Sequence, residues 1–143
     1  MATISFIKHN VAFSLKNKKD LTGIILHLFK KENNVDLESL TYIFCTDQYL
    51  RKLNRRFLNH DYYTDILTFV LSDKGNPLVS EIYISIDRVK ENSQKLNISQ
   101  HNELLRVIFH GALHLCGYND NTDRQKIRMR QKEDEYLNML RST

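Results

Sequence analysis

Residues 109 to 121 read Phe109-His-Gly-Ala-Leu-His-Leu-Cys-Gly-Tyr-Asn-Asp-Asn121: an apolar helical run broken by a glycine and followed by a polar turn. Histidines four residues apart on a helix share one face and stand about one turn, roughly 5 to 6 Å, apart, so His110 and His114 can reach a single tetrahedral ion. Two ligands do not hold a metal firmly. Were the helix to continue, Asp120 would sit about 9 Å beyond His114 and turned away from that face. Gly117 supplies the break, because glycine accepts the left-handed backbone that ends helices and lets the chain fold back, bringing Asp120 toward the pair. Three ligands with a fourth position left for water is the pattern of a catalytic zinc site rather than a closed structural one, and predicts one Zn2+ per chain. A histidine pair on an apolar helix can also simply pack or cap; Gly117 and the third ligand-capable residue favour the metal.

The spacing His-x-x-x-His-x-x-Gly-x-x-ligand is that of a zincin-like metal helix, with two departures. Gly111 stands where those proteases carry a general-base Glu, and Asp120 replaces a third His. Glycine inside a helix costs about 1 kcal/mol relative to Ala, so Gly111 implies close approach of another backbone or of substrate.

Outward from this motif the chain alternates between two periodicities. Residues 2 to 8 alternate as a strand, and Asp20 to Lys31 has helical spacing at Leu21, Ile24, Ile25 and Leu28. Leu40 to Thr46 is a second strand, rich in aromatic and β-branched residues. A helix follows from Asp47 to Leu58, with Leu50, Leu53 and Phe57 as its expected buried stripe and Arg51, Lys52, Arg55 and Arg56 on its other face. Thr64 to Leu71 and Val79 to Ser85 are two more strands, joined by the turn-rich Ser72 to Pro77 and expected to form a hairpin or neighbouring strands. The remainder reads as helix: Arg88 to Leu96, Gln100 to Cys116, and a last one from Asp123, opened by a capping box at Thr122 and Gln125. The expected fold is a single α+β domain over residues 1–143, with about four strands in a mixed sheet packed with about five helices.

With 143 residues, 41% of them hydrophobic and 27% charged, the chain can build one core and lies far from disordered or low-complexity classes. The N-terminus lacks the features of a secretory signal and no apolar run approaches spanning length, so a cytoplasmic protein with no membrane association is expected. Cys45 and Cys116 form neither a Cys-x-x-Cys pair nor a disulfide ladder, and are expected to be reduced, partly buried thiols. A net charge of +4 and pI near 9.1 suit a polyanionic partner, although a solubilising surface would look the same.

The metal motif closely resembles the His-Gly-x-Leu-His-Leu-x-Gly-Tyr-Asp-His signature of the YbeY family. Leu53-Asn54, Thr64-Asp-Ile-Leu-Thr-Phe69 and Ser80-Glu-Ile-Tyr-Ile-Ser85 resemble its other blocks in the same order, and Asp123, Met129 and Glu133 match in spacing, so the likeness spans roughly residues 36 to 140. The resemblance implies a zinc-dependent, single-strand-specific endoribonuclease that matures the 3′ end of small-subunit (16S) ribosomal RNA and serves ribosome quality control. It implies His110, His114 and Asp120 as metal ligands, and single-stranded ribosomal RNA and the ribosome as partners. The family's third ligand is His where this chain has Asp120, and a carboxylate is an acceptable zinc ligand that makes the bound water somewhat less acidic. The family's functional arginine aligns with Leu58. Arg55 or Arg56, or Arg106 one turn before His110, would then take the phosphate contact.

A zinc ion lowers the pKa of its water toward about 7 and polarises the scissile group, so no side-chain nucleophile is required; for RNA, water or the ribose 2′-hydroxyl attacks the phosphodiester. Two other readings have specific support. Zincin-like spacing suggests a metallopeptidase, weakened by Gly111 and by Glu103 lying two turns before His110. The basic face at Arg51 to Arg56 and the run Arg124, Lys126, Arg128, Arg130, Lys132 would suit a non-catalytic RNA- or ribosome-binding assembly factor.

Overall fold

The computed structural model describes residues 1–59 and 64–143. Its elements run β1 (Thr3–Lys8), α1 (Lys18–Lys31), β2 (Leu37–Cys45), α2 (Asp47–Leu58), β3 (Ile66–Val70), β4 (Leu78–Ser85), α3 (Ile86–Leu96), α4 (Gln100–Leu115) and α5 (Asp123–Arg141). The sheet has the order β1-β2-β4-β3. β1, β2 and β4 are parallel and β3 pairs antiparallel with β4, so the expected hairpin forms within a mixed sheet. The α+β architecture with four strands and five helices is as expected. No helix among the described residues is long and apolar enough to cross a membrane.

Strand alternation divides the apolar residues between two faces. On β2, Leu40, Tyr42 and Phe44 enter the main core with Ile82 and Ile84 of β4, against buried residues of α1, α4 and α5. The opposite face carries a smaller cluster of Cys45, Leu50 and Leu67, covered by α2. The central helix α4 is tied to the sheet by the buried Tyr42 hydroxyl, which donates to the Ile108 carbonyl at 2.9 Å. Beside it, a Cβ on Gly111 would stand 2.8 Å from Ile66 Cδ1 and 3.0 Å from Ile82 Cδ1. The absent side chain is what lets α4 lie this close to β3 and β4. What approaches Gly111 is thus sheet side chains, not the backbone or substrate expected.

Several expectations need correction. Phe57 is 59% exposed rather than part of the α2 stripe, and Asn54 is buried instead. Among the described residues the Phe57 ring meets Phe69, 6.0 Å between centroids, and the Arg56 guanidinium, 5.3 Å from its own. Strand β2 starts at Leu37, three residues early, where pairing with β4 overrides a polar stretch. Both cysteines are free and fully buried rather than partly so, and burial pushes each thiol up to about 12, which keeps them unreactive.

Candidate metal centre

Three pieces of local structure assemble the centre. α4 presents His110 and His114 on one face, their rings 4.5 Å apart and nearly perpendicular. The helix then ends in a Schellman motif: Gly117, at φ 100°, donates to the His114 carbonyl at 3.0 Å and Tyr118 N–H to that of Leu113 at 3.1 Å. The reversal turns Asp120 back over the histidines. The capping box of Thr122 and Gln125 then starts α5 at once, and α5 returns across α4.

His110 Nε2 lies 3.4 Å from Asp120 Oδ2, and His114 Nε2 lies 3.7 Å from Asp120 Oδ1. These separations exceed those of good hydrogen bonds. They lie at or a little beyond the edge of a coordination tetrahedron, since two donors each about 2.0 to 2.1 Å from a zinc ion stand about 3.3 to 3.4 Å apart. One ligand atom from each of the three residues lies within 4.8 Å of the others.

The other ring nitrogens are already engaged. His114 Nδ1 donates to the Tyr118 carbonyl at 2.8 Å and His110 Nδ1 donates to Glu133 Oε2 at 2.7 Å. A carbonyl can only accept, so in neutral His114 the proton sits on Nδ1 and the Nε2 lone pair faces Asp120. Two lone pairs and a carboxylate directed at one point repel one another unless a cation lies among them. Nδ1 anchored to a carbonyl or carboxylate with Nε2 free is also how metal-ligating histidines are held. The donor set fits a zinc ion.

Each anchor is itself braced. Glu133, buried on α5, accepts from Arg106 Nη1 at 3.0 Å through its second oxygen, and Arg106 Nη2 pairs with Asp134 at 2.8 Å. Tyr118 donates its hydroxyl to Glu32 Oε1 at 2.7 Å, at the end of α1; Glu32 Oε2 accepts from Lys132 Nζ at 3.2 Å and from the Tyr136 hydroxyl. Burial alone would lower the basicity of His110, but its hydrogen bond to Glu133 and the carboxylates around it raise it. Burial and the neighbouring His110 hold His114 below the ordinary range.

A cavity of about 280 Å³ opens beside His110 and Asp120. Its buried side carries Asp65, Glu103 and Glu133, and its exposed side carries Lys126 and Arg130 from α5. Burial raises the carboxyls of Asp65 and Glu103, with Asp65 adding to the effect on Glu103. Arg106 lines the cavity too, but its guanidinium is committed to Glu133 and Asp134. Arg55 and Arg56 are exposed on α2 and, like Leu58, are not among the cavity's lining residues. The structure therefore brings together His110, His114, Asp120 and Arg106, and leaves Arg55 and Arg56 outside.

The chain matches the family model described as Endoribonuclease YbeY over residues 3–141. It belongs to the YbeY family. The Endoribonuclease YbeY of Cytophaga hutchinsonii is 45% identical over 137 residues, covering 96% of this chain and 95% of the relative. That of Porphyromonas gingivalis (strain ATCC 33277) is 44% identical over 143 residues, covering 100% of this chain and 93% of the relative. Among solved structures, the solution structure of TM1509 from Thermotoga maritima is similar with a TM-score of 0.61 at 28% identity, covering 96% of this chain and 88% of that one. These YbeY relatives extend the likeness through β1 and α1, where the sequence alone offers no distinctive match. They favour a nuclease over either alternative reading.

Sequence reasoning assigns no role to Glu133 or Glu32. For Glu133 a signal exists: Met129, Tyr136 and Leu137 form the buried stripe of α5, and 133 falls on it by helical spacing. An acid on a buried stripe has a partner to find. Glu32 has no such mark, because its partners lie 86 to 104 residues away.

Proposed function

We propose that this chain is a metal-dependent, single-strand-specific endoribonuclease that matures the 3′ end of 16S ribosomal RNA and serves ribosome quality control in the cytoplasm. The convergence of two Nε2 lone pairs and a carboxylate, with both Nδ1 atoms anchored, carries the reading. His110, His114 and Asp120 hold one zinc ion, which when bound supplies Lewis acidity toward a phosphoryl oxygen and acidifies water. Glu133 and the Tyr118 carbonyl keep both imidazoles in the ligating tautomer. Arg106 secures Glu133, which sets it behind the ligands as a positioning residue. Arg55 and Arg56 guide flanking RNA through its phosphates.

The metallopeptidase reading loses its base in the fold as well as in the sequence. A side chain at position 111 would point at Ile66 and Ile82, into the sheet rather than the cavity. The test is cleavage of single-stranded RNA spanning the 16S 3′ end by the purified protein. Activity should be lost on chelation, regained with zinc and absent in His114→Ala, and duplex RNA and casein should stay intact. RNA binding without any cleavage would leave an assembly factor. A 2′,3′-cyclic phosphate product would identify the 2′-hydroxyl as nucleophile, and a 3′-hydroxyl or 3′-phosphate with no cyclic intermediate would identify water.

A further inference from the structure

The cavity beside the metal ligands presents a charge problem for an RNA substrate. Asp65, Glu103, Asp120 and Glu133 all line it, and the charge of Arg106 is taken up by Glu133 and Asp134. A phosphodiester entering there meets carboxylates. Two cations remain. Lys126 and Arg130 line the same cavity from the first turns of α5. Four residues apart on a helix, they project to the same side. The Arg130 side chain is 54% exposed and its only ion-pair partner among the described residues is Glu133, at the loose separation of 3.9 Å. Lys126 is exposed and has no ion-pair partner among the described residues.

We propose that Lys126 and Arg130 form the phosphate-binding subsite of this centre, holding the scissile phosphodiester against the metal ligands. The proposal rests on the endoribonuclease reading and adds the residues that grip the substrate at the point of cleavage. Arginine offers a planar fork that matches two phosphoryl oxygens, and lysine a mobile point charge that follows the phosphate as its geometry changes. Both side chains sit where bulk solvent meets the cavity, so they reach a phosphate without leaving a buried partner unpaired.

The test compares Lys126→Ala, Arg130→Ala and the double variant with the zinc-loaded parent. Alanine is the best helix former and both sites are exposed, so α5 is retained. On a trinucleotide, too short to reach far beyond the cavity, each single change should lower kcat/KM about tenfold and the double change about a hundredfold, the scale of a missing charge-assisted hydrogen bond. Zinc content should be unchanged. Lys126→Arg and Arg130→Lys should keep most of the activity. Binding of a labelled single-stranded DNA, which keeps the phosphates and lacks 2′-hydroxyls, should drop by roughly 0.7 of log-log salt slope for each phosphate left unneutralised. Lys19→Ala with Lys30→Ala removes equal charge from α1, whose residues do not line this cavity. A parental kcat/KM in the α5 double variant, or an equal loss in the α1 control, would overturn the proposal while the parent's cleavage still supports the enzyme. Should the parent cleave no RNA, the functional reading falls, and the DNA salt slope alone decides whether the two residues hold phosphate.

Discussion

Replacing Glu133 by Gln tests whether the centre is built for a metal or merely resembles one. Glu133 accepts two hydrogen bonds with its two oxygens, from His110 Nδ1 at 2.7 Å and Arg106 Nη1 at 3.0 Å. Glutamine has the same shape and one accepting oxygen. If that oxygen stays on His110, the amide NH2 faces the guanidinium, donor against donor, at a largely buried arginine. If the amide flips to suit Arg106, its NH2 faces His110 Nδ1, and the ring must move its proton to Nε2, which removes the lone pair that ligates. Either outcome weakens the site without emptying the core. Loss of a partner behind a ligating histidine typically costs 10- to 100-fold in metal affinity, or about 1.4 to 2.8 kcal/mol. Zinc dissociation constants measured by chelator competition should show this, with the circular dichroism spectrum retained and kcat/KM lower at subsaturating zinc. Parental affinity in Glu133→Gln would refute the argument that this hydrogen bond sets the ligating tautomer.

His114→Ala should lose stoichiometric zinc, read by elemental analysis, whereas Asp120→His should keep it and Asp120→Ala lose most of it; equal occupancy in Asp120→Ala would place the third ligand elsewhere. Arg55→Ala with Arg56→Ala should weaken long single-stranded RNA about equally across sequences and flatten the log-log salt dependence by roughly 0.7 for each phosphate no longer neutralised, without changing zinc content. Glu32→Gln leaves at least one of three hydrogen-bond donors without an acceptor, so denaturant unfolding should show a loss of about 1 to 3 kcal/mol near neutral pH. Burial alone would raise the Glu32 carboxyl, but hydrogen bonds from Tyr136, Tyr118 and Lys132 hold it below its ordinary 4.5. Its stabilisation is therefore fully present above about 4.5 and fades as pH falls through the lower folded value, so the parent should lose its advantage over Glu32→Gln on acidification across that window.

What can be read in the sequence is whatever depends on neighbours along the chain. Helix α2 is legible from its helical apolar spacing and basic opposite face; the structure adds a cap at Thr46, which reads as strand in the sequence, its hydroxyl accepting from Tyr49 N–H. Gly117 and Asp120 are legible for a like reason, since a glycine where an apolar helical run gives way to a polar turn marks a helix end at which the chain can fold back. Strand order is not legible, because β4 inserts between β2 and β3 through pairing of stretches some 40 residues apart. Phe57 fails on the same ground: helical periodicity identifies a face, but not where the sheet beneath that face stops. Gly111 is recognisable as a close approach but not in kind, since Ile66 and Ile82 come from strands that periodicity cannot dock.

The charges around the candidate metal centre form one electrostatic set when placed on the fold. A ligating histidine is neutral, so a carboxylate ligand such as Asp120 adds one negative charge beside the proposed metal. That adds to the carboxylates of Asp65, Glu103 and Glu133 already lining the cavity. At an effective dielectric near 20, a unit charge 4 Å away is worth about 4 kcal/mol, enough to set affinity and rate for an anionic substrate. Lys126 and Arg130 supply two positive units from the exposed side of the same cavity. Helix α5 is also the firmer platform for a cation. Asn59 ends α2 in a left-handed conformation, with Phe57 and Leu58 beside it exposed. α5 is anchored through Met129, Glu133 and Tyr136 to the body that holds the ligands, so a cation on it keeps its bearing on the metal.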